Sequence, residues 1–120
     1  MDRVHLSPTL NISRMVYGMW RIGDGPDTSA KDVQAKMEAC IEQGITSFDQ
    51  ADIYGDYGAE ALLGNALRDK PSLRDDIEII TKCGIIAPIG CYSNKRGKYK
   101  KNWNQRKMHY KPISVEIGGC

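Results

Sequence analysis

No stretch of 18 consecutive apolar residues occurs among the 120 residues of this chain, so the apolar length that a membrane-spanning helix needs is missing. The opening Met1-Asp2-Arg3-Val4-His5 lacks the apolar core of a secretory leader. Histidine is scarce, with two in the chain, and neither stands in a His-x₃-His pair. No two of Cys40, Cys83, Cys91 and Cys120 are spaced as Cys-x-x-Cys, so no zinc or other metal site is expected. With no leader, and with Cys40 on the apolar face of an apparent helix, the four sulfurs read as free thiols of a cytoplasmic protein. Acids are scarce in the second part of the chain. Residues 1–78 hold 14 acids and 8 bases, a balance of −6. Residues 79–120 hold one acid, Glu116, and 9 bases, a balance of +8. Eight of those bases fall between Lys95 and Lys111, and a like-charge run of this kind reads as a solvated, poorly ordered tail. Tyr92, Tyr99, Trp103 and Tyr110 are interleaved with the bases, as in a single-strand binder. No nucleic-acid-binding module surrounds them, so neither nucleic acid nor membrane is expected as a partner.

What is present is periodic. Residues 3–6 and 10–14 are short, partly apolar runs joined by Ser7-Pro8-Thr9, a turn that Pro8 favours. They predict an N-terminal hairpin. Residues 15–20 read as a buried strand, and Gly23 to Asp27 as a loop. Ser29 is a helix N-cap, with Asp32 three residues on as the acidic half of a capping box. Val33, Met37, Cys40 and Ile41 then recur on one helical face, and Gly44 ends that helix. Residues 45–49 read as a strand. Ala59, Leu62, Leu63, Ala66 and Leu67 share the face of a second helix that Pro71 stops, and Ile77 to Thr81 reads as the next strand. Strands alternating with helices of this length predict an α/β chain built of βαβ units on a parallel sheet. From Tyr92 to Lys111 no period holds. Ile113, Val115 and Ile117 alternate, as a short terminal strand would.

Functional groups of parallel α/β folds gather at the C-terminal ends of strands. Asp49 closes the second predicted parallel strand and Lys82 the third, so adjacent strands would bring the two together. Tyr54 follows in the loop Asp49-Gln50-Ala51-Asp52-Ile53-Tyr54-Gly55. A phenol is a poor proton carrier at neutral pH. A lysine cation beside it favours the phenolate, and an aspartate holds the lysine in place. Asp49, Tyr54 and Lys82 therefore form a candidate unit for giving a proton to a carbonyl oxygen. Each residue also has a plainer reading: Asp49 as a turn former, Lys82 as a surface cation, Tyr54 as a packing aromatic.

Three segments resemble one family. Ile45-Thr46-Ser47-Phe48-Asp49-Gln50-Ala51-Asp52-Ile53-Tyr54-Gly55, followed by Glu60, is similar to the strand-two signature of the aldo-keto reductases. Gly18-Met19-Trp20-Arg21 resembles their strand-one motif, and Ile79-Ile80-Thr81-Lys82-Cys83-Gly84 their strand-three segment. The likeness covers roughly residues 3 to 90 and is most like the bacterial general oxidoreductases of the family. It implies the N-terminal portion of a parallel (β/α)₈ TIM barrel with an N-terminal β-hairpin, incomplete because such a barrel takes ~250 residues. It divides the chain into a partial reductase domain at 1–90 and a basic tail at 91–120. The implied activity is reduction of aldehydes and ketones with NADPH, or less often NADH. Tyr54 would be the general acid, Lys82 its activating cation and Asp49 the residue that holds Lys82. Gly18, Met19, Trp20 and Asp49 would contact the cofactor and Trp20 and Arg21 the small carbonyl substrate, the segment Gly18 to Arg21 largely through its backbone. A non-catalytic binding or regulatory relative of the same fold is the alternative.

The sequence departs from the family in one catalytic residue and in its later strands. The family places a fourth catalytic residue, a histidine, at the end of strand four. His5 lies before the barrel, and His109 follows a basic stretch rather than a strand. The later part of the chain reads as a truncated or frame-shifted product, with Ser114 to Ile117 a remnant of the following helix. Substrate identity, NADPH against NADH and oligomeric state are open at this stage.

Overall fold

The computed structural model describes residues 2–83 and the backbone of 114–116. The predicted 91–120 tail, the 1–90 boundary and His109 otherwise lie outside the described residues. The hairpin is formed by β1 (Arg3–Ser7) and β2 (Leu10–Ser13), antiparallel across the Pro8 turn. The second sheet is parallel throughout, in the order β3 (Val16–Gly18), β4 (Ser47–Asp49), β5 (Glu78–Thr81), β6 (Ser114–Glu116). Its register sets Gly18 beside Asp49 and Asp49 beside Ile80. β6 pairs with β5 from Ile79–Ser114 to Thr81–Glu116. The segment at 114–116 is thus a strand and not the remnant of a helix: alternation at Val115 and Ile117 carries a two-residue period. Among the described residues the sheet is open, an α/β portion of a barrel rather than a closed one.

The first long helix, α1 (Ala30–Glu42), is capped as expected by Ser29, whose Oγ accepts the Asp32 N–H at 3.2 Å. The reciprocal half of the box differs. Asp27 Oδ1, not Asp32, accepts the Ser29 N–H at 2.8 Å, and the Asp32 carboxylate pairs with Lys36 one turn on. Gly44 takes φ 78. Its N–H bonds to Ile41 O at 2.8 Å and the Ile45 N–H to Cys40 O at 2.9 Å, the paired closure of a Schellman motif.

Between β4 and the second long helix the chain makes a four-residue turn, α2 (Tyr54–Tyr57), in which Gly55, Asp56 and Tyr57 all have positive φ. Then α3 (Ala59–Asp69) runs to Lys70, whose backbone leaves the helical region ahead of Pro71, as the residue before a proline is disfavoured there. Pro71 does not only stop the helix; it opens a 3₁₀ turn over Pro71–Asp76.

The faces predicted from periodicity are those that pack. Val33 and Met37 of α1 and Ala59, Leu63, Ala66 and Leu67 of α3 are buried with Met19, Phe48 and Ile79 of the sheet side in one core. Each fully buried aliphatic or aromatic side chain of this kind contributes about 1.5–3 kcal/mol. No helix of the described residues is long and apolar enough to cross a membrane. Cys40 is a free thiol, as expected, whereas Cys83 is disulfide-bonded. The expectation of four free thiols therefore fails at Cys83, because cysteine spacing along the chain does not show which sulfurs the fold brings within bonding distance.

Candidate active site

Asp49 ends β4 and Lys82 immediately follows β5. The two strands are neighbours in parallel, so both side chains emerge at the same end of the sheet. Ladder bonds continue past the strand ends: Met19 N–H to Asp49 O at 2.9 Å, Gln50 N–H to Ile80 O at 2.7 Å and Asp52 N–H to Lys82 O at 2.9 Å. These tie the loop that carries Tyr54 to its flanking strands.

The three side chains expected to meet do so. Lys82 Nζ donates to Asp49 Oδ1 at 2.6 Å, to the Gln50 carbonyl at 2.8 Å and to the Tyr54 hydroxyl at 3.4 Å. The Tyr54 hydroxyl donates to Asp49 Oδ2 at 2.9 Å. Lys82 Nζ also lies 5.1 Å from the Tyr54 ring centroid, within cation–π range. On the other side Trp20 stacks on Tyr54, with centroids 6.3 Å apart and planes at 23°. Burial alone would pull the Lys82 ammonium down. The hydrogen bond and charge of Asp49, and then Tyr54, outweigh it and hold Lys82 above its ordinary range. Glu60, from the first turn of α3, accepts the Thr81 hydroxyl at 2.9 Å and so braces the end of β5 next to Lys82.

The remaining predicted residues divide. Trp20 is 60% exposed and, with Arg21, Asp24, Ile53, Gly55 and Asp56, lines a cleft of about 550 Å³. Arg21 opens onto this cleft but is paired, Nε to Asp24 Oδ2 at 2.7 Å. Gly18 borders open space: a Cβ there would meet nothing within 4 Å. Met19 is different. Its side chain is wholly buried in the core, and its N–H and carbonyl are taken by Asp49 O and the Ile22 N–H. His5 sits exposed on β1, in the hairpin whose Arg3 reaches the opposite end of the sheet. No group of three or more metal-ligating side chains occurs among the described residues.

Gln50 is the site residue that sequence reading passes over. It is fully buried beside Asp49, and its carbonyl is a ligand of the Lys82 ammonium. Its partners Met19, Ala59 and Lys82 are 31, 9 and 32 residues away, so no local pattern announces it.

Comparison with known proteins places the chain in a family. The sequence model of the aldo/keto reductase family matches residues 14–114. The 6-dehydroglucose reductase of Agrobacterium fabrum is 63% identical over 99 residues, which cover 82% of this chain and 33% of that protein. The uncharacterized oxidoreductase YcsN of Bacillus subtilis is 46% identical over 86 residues, 72% of this chain and 28% of its own. Among solved structures, an aldo-keto reductase from Bacillus halodurans in its holo form superimposes with a TM-score of 0.57 at 28% identity, over 78% of this chain and 29% of that one. The chain spans about a third of the length of the curated relatives it matches. With the family match extending through most of its residues, the chain belongs to the aldo/keto reductase family of oxidoreductases.

Proposed function

We propose that this chain carries the proton-delivery and ring-binding part of an NADPH-dependent carbonyl reductase, with NADH as the lesser alternative cofactor. One observation carries the reading: Asp49, Tyr54 and Lys82 converge within 3.4 Å at the C-terminal end of a parallel sheet. In this reading Tyr54 gives its hydroxyl proton to the carbonyl oxygen of the substrate. Lys82 faces the oxyanion left behind, and Asp49 keeps the ammonium in place and charged. The bound cofactor supplies the hydride.

The described residues fit the ring end of such a cofactor. The exposed Trp20 indole offers a flat face, and Gly18 leaves open space at the same end of the sheet. They do not fit its phosphates, because the cleft carries Asp24 and Asp56 and its cation Arg21 is already paired. The assignment to Met19 narrows accordingly, since neither its side chain nor its amide is free to reach a ligand. Identity to 6-dehydroglucose reductase supports an oxidised sugar as the first substrate to try. A cytoplasmic location goes with this reading, because reduced nicotinamide cofactors are supplied there.

Titration of the chain with NADPH, followed by tryptophan emission, tests the proposal. Saturable quenching is expected, and Trp20→Phe, which leaves Trp103, should remove it. Emission that ignores NADPH, or quenching that survives Trp20→Phe unchanged, overturns the assignment.

A further inference from the structure

Gln50 leaves β4 directly after Asp49 and is fully buried. Its carboxamide Nε2 donates to the Ala59 carbonyl at 3.2 Å and lies 3.3 Å from Met19 Sδ. No donor among the described residues reaches its Oε1. A buried amide satisfied on one side only costs stability. Ala59 gains little in return. In the first turn of α3 its carbonyl already has the Leu63 N–H, four residues on, as its helical partner. A methionine would fill the same space with no orphaned acceptor. Packing therefore gives no reason for a glutamine at this position.

A reason lies in the peptide that the side chain holds. The Gln50 N–H is bonded to Ile80 O and the Gln50 carbonyl accepts from Lys82 Nζ at 2.8 Å. The three acceptors around the ammonium are thus Asp49, Gln50 and Tyr54. The carboxamide reaches Met19, the neighbour of Trp20, and Ala59, just after the turn that begins at Tyr54. We propose that Gln50 is a positioning residue: its carboxamide clip to Ala59 and Met19 fixes the Gln50 peptide, whose carbonyl aims the Lys82 ammonium between Asp49 and Tyr54. This rests on the proton-delivery reading of those three residues, but its test needs no turnover.

Gln50→Met keeps the volume and removes the donor. The side-chain nitrogen of Lys82, labelled with ¹⁵N, is titrated by NMR in the parent and the variant, and both are melted. The variant is expected to melt no lower than the parent. Its Lys82 midpoint is expected to fall by roughly one pH unit, a tenfold loss of proton affinity. In the parent, the Gln50 carboxamide protons should exchange slowly with water. An unchanged Lys82 midpoint overturns the proposal. So does a variant that melts far below the parent or fails to fold, which would make Gln50 a structural residue. Fast exchange of the Gln50 carboxamide protons in the parent overturns it without any variant. A Lys82 shift together with carbonyl reduction that survives Tyr54→Phe would sink the proposed function and leave the positioning role standing.

Discussion

At Lys82 two forces oppose each other, and the geometry shows which prevails. Burial disfavours the ammonium; the Asp49 carboxylate 2.6 Å away favours it and wins. A cation held above its ordinary range adds stability that is fully present below the unfolded value of ~10.4 and is lost as pH rises through the higher folded value. Asp49→Asn removes the dominant favourable partner. Because 38% of the Lys82 side chain stays in water, solvent screening brings the cost below the usual range for charged hydrogen bonds, to about 1 kcal/mol. Urea unfolding at pH 7 should show this deficit, and a pH series above 10 should show it closing. Lys82→Met should cost less in the Asp49→Asn background than in the parent, because the coupling between the two residues is already gone. Equal stability of Asp49→Asn and parent at pH 7 would mean that the ion pair contributes nothing.

Among elements, α1 shows how much a sequence can declare through local chemistry. Ser29, the Val33–Met37 face and Gly44 are all short-range signals, and each does what its residue type predicts. Gly44 is the sharpest case. Its φ of 78 closes the helix C-terminus, and an L side chain there costs about 1–2 kcal/mol. Gly44→Ala should lower stability by that amount in urea unfolding, and a neutral result would show that the Schellman closure is dispensable. The meeting of Asp49 with Lys82 was legible for a related reason: alternating strands and helices imply a parallel sheet, and a parallel sheet aligns strand ends. Two features at the same site were not. Asp56 and Tyr57 take positive φ, which is uncommon outside glycine and especially so for a bulky residue such as Tyr57, so the sequence carries no sign of the turn at Tyr54. Gln50 gave no signal because a buried polar residue is explained by partners distant in sequence. The exchange of Asp27 for Asp32 in the α1 cap belongs with these, since two acids within reach of one N–H are not separable by spacing.

At the scale of the whole molecule, the described residues divide along the parallel sheet, with stabilising contacts at the N-terminal ends of the strands and the proposed proton-delivery site at the C-terminal ends, as the barrel architecture leads one to expect. At the lower end Glu78 Oε2 accepts from the Ser47 and Thr46 hydroxyls at 2.7 and 2.8 Å, and Glu78 Oε1 takes Arg3 from the hairpin at 2.5 Å. Ser13, from the hairpin's second strand, accepts the Thr46 and Ser47 N–H groups at 3.1 and 3.0 Å. The hairpin is thus fastened to the start of β4 and β5, and Glu78 is the charge at the centre. Burial alone would raise its carboxyl; hydrogen bonds from Ser47, Thr46 and Arg3 outweigh that and hold it below the usual range. Its contribution is then present above the ordinary carboxylate value and lost as pH falls through the lower folded value. Glu78→Gln should cost about 1.5 kcal/mol at pH 7, typical of a hydrogen-bonded charge that is partly exposed. The gap to the parent should close on acidification below pH ~4. The same variant should leave the Lys82 titration and the NADPH response of Trp20 unchanged, because the Glu78 hydrogen bonds to Arg3, Thr46 and Ser47 lie at the far end of the strands from Asp49 and Lys82. Unfolding followed by circular dichroism at pH 7 and pH 3, with a Lys82 titration alongside, checks both halves. A shifted Lys82 midpoint in Glu78→Gln would show that the two ends are coupled through β5 and would remove the division between a stabilising end and a chemical one.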